Sequence, residues 1–310
     1  MAKRRRRQPR PVGWVLLALA AVAAAGLLYF GWFARPPARP ELAKRPMPGG
    51  ESGADEGVGV GAPRDGGVGG APEPQAPAAP PPRSSGHLAL VFDDLGRSVA
   101  EMETVAALGV PLTYSVLPYE AATAEVAAAL RGRGVEILLH LPMTASNGHD
   151  PGPGTLHPAM SPAALAAGTR RALQQVPGAV GVNNHMGSEL TRDSAAMEPI
   201  LRALHEEEMF FLDSRTSAES VGYRLARGLG LPAAERQVFL DPDPEPEAIR
   251  GQFRRLLELA AERGAAIAIA HPHPQTLAVL REEVPRALAA GFEFVPVSFL
   301  LDRSPVLPAE

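Results

Sequence analysis

The sequence has no cysteine. That excludes a disulfide framework and any thiolate metal site, so a metal held by this chain must rest on His, Asp, Glu or water. The absence is compatible with an oxidising compartment. A strong charge imbalance is missing too. The chain has 30 Lys and Arg against 34 Asp and Glu, a formal net charge of −4, which leaves no electrostatic footprint for nucleic acid and removes it from the expected partners. No short-period internal repeat is seen. Two further absences are local. There is no charged residue between Arg10 and Arg35, and residues 34–86 carry almost no aromatic or large aliphatic side chains.

What is present divides the 310 residues into zones. The apolar share is 45% and the charged share 21%, a soluble balance that allows a sizeable core. Residues 1–12 form a basic tail with Lys3, Arg4, Arg5, Arg6, Arg7 and Arg10. Residues 13–34 come next as an uncharged apolar run with Trp14, Tyr29, Trp32 and Phe33 near its ends. A run of roughly 20 apolar residues crosses a bilayer core as a helix. Interfacial aromatics and preceding positive charge orient such a helix with its N-terminus in the cytoplasm. The expectation is therefore one transmembrane signal-anchor helix in the inner membrane, with the remainder of the chain periplasmic or otherwise extracytoplasmic. The rival is a cleaved signal peptide, for which "AVAAAG" offers small residues, although the run exceeds the usual h-region of about 7–15 residues. Residues 35–86, rich in Pro, Gly and Ala, cannot bury enough apolar area to offset their ordering entropy and are expected to be a disordered linker. Residues 305–310 are a short tail.

Residues 87–304 read as one α/β domain. Apolar strand-length runs at 87–92, 112–117, 135–140, 179–183, 209–212, 237–240, 265–270 and 292–297 alternate with amphipathic helical stretches at 99–108, 121–131, 162–174, 194–207, 218–229, 247–263 and 276–289. Apolar strands separated by helices indicate a parallel sheet covered on both faces. About seven to eight strands in one unit favour a (β/α) barrel over an open sheet. Ser161 followed by Pro162 predicts a helix start there.

In such a barrel the site residues collect where strands end. The first strand, "LALVFDDLG", ends in Asp93 and Asp94. "EILLHLPM" ends at His140, "GVNNHMGS" delivers Asn183, Asn184 and His185, and "FFLDSRT" delivers Asp213 and Arg215. The sixth strand ends at Asp241, and "AIAIAHPHP" delivers His271 and His273. Singly, each has an ordinary reading: an Asp after a strand is a turn or cap residue, a His beside a strand is a satisfied core residue, and an Asp–Arg pair is a common structural device. Together at one end of successive strands they suggest a single site. His87, His149, His157 and His205 lack that placement. One Asp and two neutral His make an N/O site for a divalent metal such as zinc, with positions left for water and substrate. A neighbouring Asp off the metal would act as general base, and a His across the site would protonate a leaving group. The segment "TASNGHDPGPGTLHPAM" reads as a long loop on the same face, a lid or a plain surface excursion.

In this order the motifs "LALVFDDLG", "PLTYSVLPY", "EILLHLPM", "GVNNHMGS", "FFLDSRT", "VFLD" and "AIAIAHPHP" resemble the divergent polysaccharide deacetylases over nearly all of residues 87–300. That family is distantly related to the zinc-dependent polysaccharide deacetylases. The resemblance implies a distorted (β/α) barrel and removal of N- or O-acetyl groups from sugars. It implies Asp93 as base, Asp94 and His140 as metal ligands and His271 as the residue that assists the leaving group. Asn184, Asp213, Arg215 and His273 would orient these groups or hold substrate. Ordinary deacetylases carry a second metal His a few residues after the first. Here Leu141, Pro142, Met143 and Thr144 follow His140, and His185 is the candidate to replace that ligand. The expected function is a membrane-anchored, metal-dependent deacetylase of a cell-envelope polysaccharide. The alternatives are a catalytically degenerate fold serving as a glycan-binding or envelope scaffold, and a hydrolase of another ester or amide.

Overall fold

The computed structural model describes residues 85–301. The expected basic tail, membrane span and tail at 305–310 lie outside the described residues, as does the linker up to residue 84. Among the described residues, no helix is long and apolar enough to cross a membrane.

Among the described residues, nine strand segments and eight α-helices succeed one another. They are β1 (Gly86–Leu95), α1 (Val99–Ala106), β2 (Thr113–Val116), α2 (Thr123–Gly132), β3 (Glu136–Met143), α3 (Pro162–Gln175), β4 (Gly181–Met186), α4 (Ser194–Glu206), β5 (Phe210–Asp213), α5 (Gly222–Gly228), β6 (Ala233–Glu235), β7 (Val238–Phe239), α6 (Pro246–Arg263), β8 (Ala265–Ala270), α7 (Pro274–Ala289), β9 (Phe292–Phe294) and α8 (Ser298–Leu301). The helix starts obey local chemistry. Ser161 Oγ accepts from Ala164 N ahead of Pro162, and Asp193 Oδ1 accepts from Ala195 N and Ala196 N at the start of α4, which satisfies donors that a helix N-terminus leaves open.

Every strand pairing is parallel, and the spatial order is β6-β5-β4-β3-β2-β1-β8-β7, with β9 also on β1. The two outer members of that order are halves of one stretch. Ala233–Glu235 bond to β5, then Gln237 N donates to Ile267 O and Val238–Phe239 bond to β8. The sheet therefore curls, and a chain segment that changes neighbour midway links its edges. The distortion sits here. The expected strand 237–240 is only the second half of this segment, because Glu235, Arg236 and Gln237 interrupt the apolar run. The helix expected from 218 begins only at Gly222, because the Asp213 carboxylate takes Ser220 Oγ and Tyr223 N and holds the preceding residues as a loop. The last strand ends at Phe294 rather than 297.

Side chains alternate along each strand. Leu90, Phe92, Leu139 and Phe211 pack outward among helix residues such as Leu201, Phe253 and Leu280. Ala89, Val91, Leu138, Leu212, Ala234 and Ile269 form a separate inner cluster, with Val297 and Leu300. Each large side chain buried in this way contributes about 1.5–3 kcal/mol. Gly181 on β4 lies opposite Phe210 on β5, and a Cβ there would come within 2.7 Å of the phenyl ring. Two residues further along the inner positions stand Asp93, His140, Ser214, Arg236 and His271. The interior is thus apolar at the N-terminal end of the strands and polar at the C-terminal end.

Candidate active site

Asp93 and Asp94 are adjacent, so a regular strand would send them to opposite faces. The β1–β2 register resolves this. Phe92 pairs with Tyr114, but the next pair is Leu95 with Val116, so β1 carries one extra residue. Asp94 sits in that bulge at φ +62°, a left-handed conformation costing an L-residue roughly 1–2 kcal/mol. A bulge re-aims a side chain, and here it turns Asp94 toward the site that Asp93 already faces.

Asp94 Oδ1 lies 2.9 Å from His185 Nδ1 and 3.2 Å from His140 Nε2, and the two ring nitrogens are 3.0 Å apart. The register accounts for this, since β3 and β4 pair His140 with Asn183 and Pro142 with His185. Asp94 Oδ1 is buried and has no hydrogen-bond partner. A buried oxygen left unsatisfied between two imidazole nitrogens suits a shared cation better than a hydrogen-bond network. The sequence-predicted ligand set is therefore brought together as one group of metal-type donors. Burial works against ionising Asp94, but His140 and His185 outweigh it and hold the carboxyl well below the usual range. Burial also disfavours charge on both imidazoles. At His140 the charges of Asp93 and Asp94 prevail and raise its pKa, whereas at His185 burial prevails and lowers it.

Asp93 is buried, with Oδ1 accepting from Asn183 Nδ2 at 2.8 Å and Oδ2 3.5 Å from His140 Nε2. On the neighbouring strand, His271 Nδ1 lies 3.0 Å from Asp241 Oδ1. Asp241 Oδ2 accepts from His271 N and from Thr276 Oγ1, both at 2.8 Å. Burial alone would lower the His271 pKa, but the Asp241 hydrogen bond and the charges of Asp93, Asp241 and Asp94 push it up to about 9. Burial raises the Asp241 carboxyl, yet the His271 interactions hold it below its ordinary value. His273 is exposed and stacks on the His271 ring at 5.5 Å between centroids. Asp241, His271 and His273 also form a group of ligand-type atoms. Both Asp241 oxygens are already taken by hydrogen bonds, however, which makes this an oriented Asp–His pair rather than a cation receptacle.

Three of the expected residues act on loops instead. Asn184 Oδ1 accepts from Ser214 N, and its amide donates to Met186 O, tying β4 to the segment after β5. Asp213 is fully buried and accepts from Arg215 N, Ser220 Oγ and Tyr223 N. Arg215 turns back to Ala218 O, Ser220 O and Glu235.

Two further residues are named at strand ends in the sequence but given no role there, Asp241 and Asn183, and two are not singled out at all, Arg236 and Glu101. Asp241 was visible at a strand end but stood outside the expected set. Asn183 lies two residues before His185, hence on the same face. Arg236 occupies the seam between β6 and β7, donating to Ser214 O and Arg215 O and lying over Phe239. Burial lowers its pKa against the pull of Asp93 and Asp213. Glu101 in α1 has a buried Oε2 with no hydrogen-bond partner. Burial raises its pKa, Arg97 opposes this, and the Asp94 charge adds to it. Strand-end placement signals Asn183, whereas only the inner-face alternation could have signalled Arg236.

A family model described as divergent polysaccharide deacetylase matches residues 90–301. The chain is 38% identical over 203 residues to an uncharacterized protein of Escherichia coli, YibQ, covering 66% of this chain and 64% of that one. It thus spans slightly under two thirds of that relative. An uncharacterized protein of Haemophilus influenzae is 34% identical over 224 residues, covering 71% of this chain and 79% of the relative. The crystal structure of an uncharacterized protein from Agrobacterium tumefaciens superposes with a TM-score of 0.65 at 25% identity, covering 69% of this chain and 89% of that one.

Proposed function

The chain belongs to the divergent polysaccharide deacetylases, and on that premise we propose that it is a metal-dependent hydrolase that removes acetyl groups from a cell-envelope polysaccharide. The observation that carries this reading is the unsatisfied, buried Asp94 Oδ1 between His140 Nε2 and His185 Nδ1. These three residues would hold a divalent cation, and the N/O donor set suits zinc. When bound, such an ion supplies Lewis acidity at the acyl carbonyl oxygen.

The chain's own residues supply the proton transfers. Asp93, fixed through Oδ1 by Asn183, has Oδ2 to take a proton from the water that attacks the carbonyl carbon. His271, fixed through Nδ1 by Asp241, has Nε2 to give a proton to the departing sugar nitrogen or oxygen as the acyl bond breaks. Acetate and the free sugar amine or hydroxyl leave, and solvent returns the Asp93 proton to His271. A group that is protonated at neutral pH opposite a carboxylate is the division of labour this hydrolysis needs.

The basic residues at 3–10 and the uncharged run at 13–34 support anchoring in the inner membrane with the domain outside the cytoplasm. The 3.0 Å approach of His140 Nε2 and His185 Nδ1 supports the hydrolase reading over a glycan-binding or envelope scaffold on a degenerate fold, in which the two histidines need not converge.

The test is acetate release by the purified full-length protein from a panel of N- and O-acetylated glycans. The proposal expects release that stops with chelator, returns with zinc and is absent in Asp94→Asn. Release indifferent to chelator would overturn it. So would metal-loaded protein that binds these glycans without turnover.

A further inference from the structure

We infer that Asn183 is the positioning residue of this site: its carboxamide, held in one orientation by Asp93, fixes the tautomer of His140. This rests on the proposed metal centre for its purpose, but its structural consequence exists without a metal.

Asn183 is fully buried, and all of its hydrogen-bonding capacity is directed inward. Nδ2 donates to Asp93 Oδ1 at 2.8 Å and to Ser214 Oγ at 3.2 Å. Oδ1 faces His140 Nδ1 at 3.0 Å and accepts from Ser115 Oγ at 2.5 Å. A carboxylate only accepts hydrogen bonds, so the amide must turn its nitrogen to Asp93. The reverse orientation would set two acceptor oxygens at hydrogen-bond distance in a buried site, which is costly. With the amide so fixed, its oxygen can only accept from His140, and the neutral ring carries its proton on Nδ1.

The consequence falls on the other nitrogen. His140 Nε2 then presents a lone pair to Asp94 Oδ1 and His185 Nδ1. One amide therefore links the intended general base to the intended ligand. Partners on the far nitrogen of a ligating imidazole set its orientation and basicity in this way. The sequence places Asn183 and His185 two apart on one strand, so the residue that orients the first ligand and the residue that provides the second move as a unit.

The experiment uses the full-length, metal-free protein at alkaline pH. Long-range proton–nitrogen correlation of the imidazoles reads the His140 tautomer, and titration with Zn²⁺ reads affinity. Two variants separate the two sides of the amide. Asn183→Asp keeps an acceptor toward His140 but loses the donor toward Asp93. Asn183→Leu loses both. The expectation is an Nδ1–H ring in wild type and Asn183→Asp, and loss of that tautomer in Asn183→Leu. Zinc affinity should fall about 10–100-fold in Asn183→Leu and stay within about threefold in Asn183→Asp. An Nε2–H ring in the wild type overturns the inference, as does a zinc affinity in Asn183→Asp as low as in Asn183→Leu. If Asn183→Leu does not fold, the wild-type ring decides alone: an Nδ1–H tautomer supports the inference and an Nε2–H tautomer overturns it. Failure of the wild type to bind zinc, with the Nδ1–H tautomer present, would sink the metal centre and leave the positioning role standing.

Discussion

His140 Nε2 and His185 Nδ1 lie 3.0 Å apart although 45 positions separate them in the chain. Adjacent parallel strands with a fixed register make this possible, since both side chains come from inner positions of β3 and β4. A site divided between two strands depends on the sheet for its geometry. Its energetics should therefore respond both to the groups themselves and to the packing beneath them.

Asp93→Asn keeps the shape of the residue but removes its capacity to take a proton. Turnover should fall about 10²–10⁴-fold, the usual contribution of a positioned base. Zinc affinity should change little, because the new carboxamide oxygen can still accept from Asn183 Nδ2 and keep that amide turned as it is. Parallel acetate-release assays and zinc titration of the one variant check this.

His271 sets a pH window. Its pKa is raised from 6.5 to about 9 in the folded chain, so it holds its proton more tightly folded than unfolded. Its contribution to stability is complete below the unfolded pKa and disappears as pH rises through about 9. Its competence as an acid follows the same limb. Asp241→Asn removes the charge behind Nδ1, so the alkaline limb of turnover should move to lower pH. The stability lost by wild type between neutral and alkaline pH should shrink in the variant. A pH–rate profile and denaturant unfolding at two pH values measure both effects.

Gly181→Ala tests the packing beneath the site. The added methyl would meet the Phe210 ring at 2.7 Å, and overpacking of this kind costs about 1–3 kcal/mol. Urea unfolding should show that loss. Because Gly181 stands two residues before Asn183 on the same face, zinc affinity should fall with it.

Much of the site was legible because parallel strands announce their ends. Each apolar run breaks into polar residues where the sheet meets its loops, and that pattern alone grouped Asp93, Asp94, His140, His185 and His271. The register slip that turns Asp94 inward leaves no trace in "FDDLG", because a bulge and a regular strand end have the same composition. The split of 233–239 between two neighbours was equally hidden, since residues 233–236 fall outside the expected strand 237–240, and with them went Arg236. Asn184, Asp213 and Arg215 share the strand-end placement but spend their polar atoms on backbone groups of nearby loops. Position along a strand predicts the end of the barrel a residue occupies, not whether its side chain remains available for chemistry.

Asp94, His140 and His185 are proposed to hold one divalent cation together. Equilibrium dialysis of the full-length protein against zinc, followed by elemental analysis, tests it most directly when wild type and His185→Ala are compared with matched unfolding curves. Wild type is expected to hold near-stoichiometric zinc and the variant to lose it, with both chains folded. Wild-type protein that retains no zinc, or a His185→Ala variant that retains as much as wild type, would contradict it.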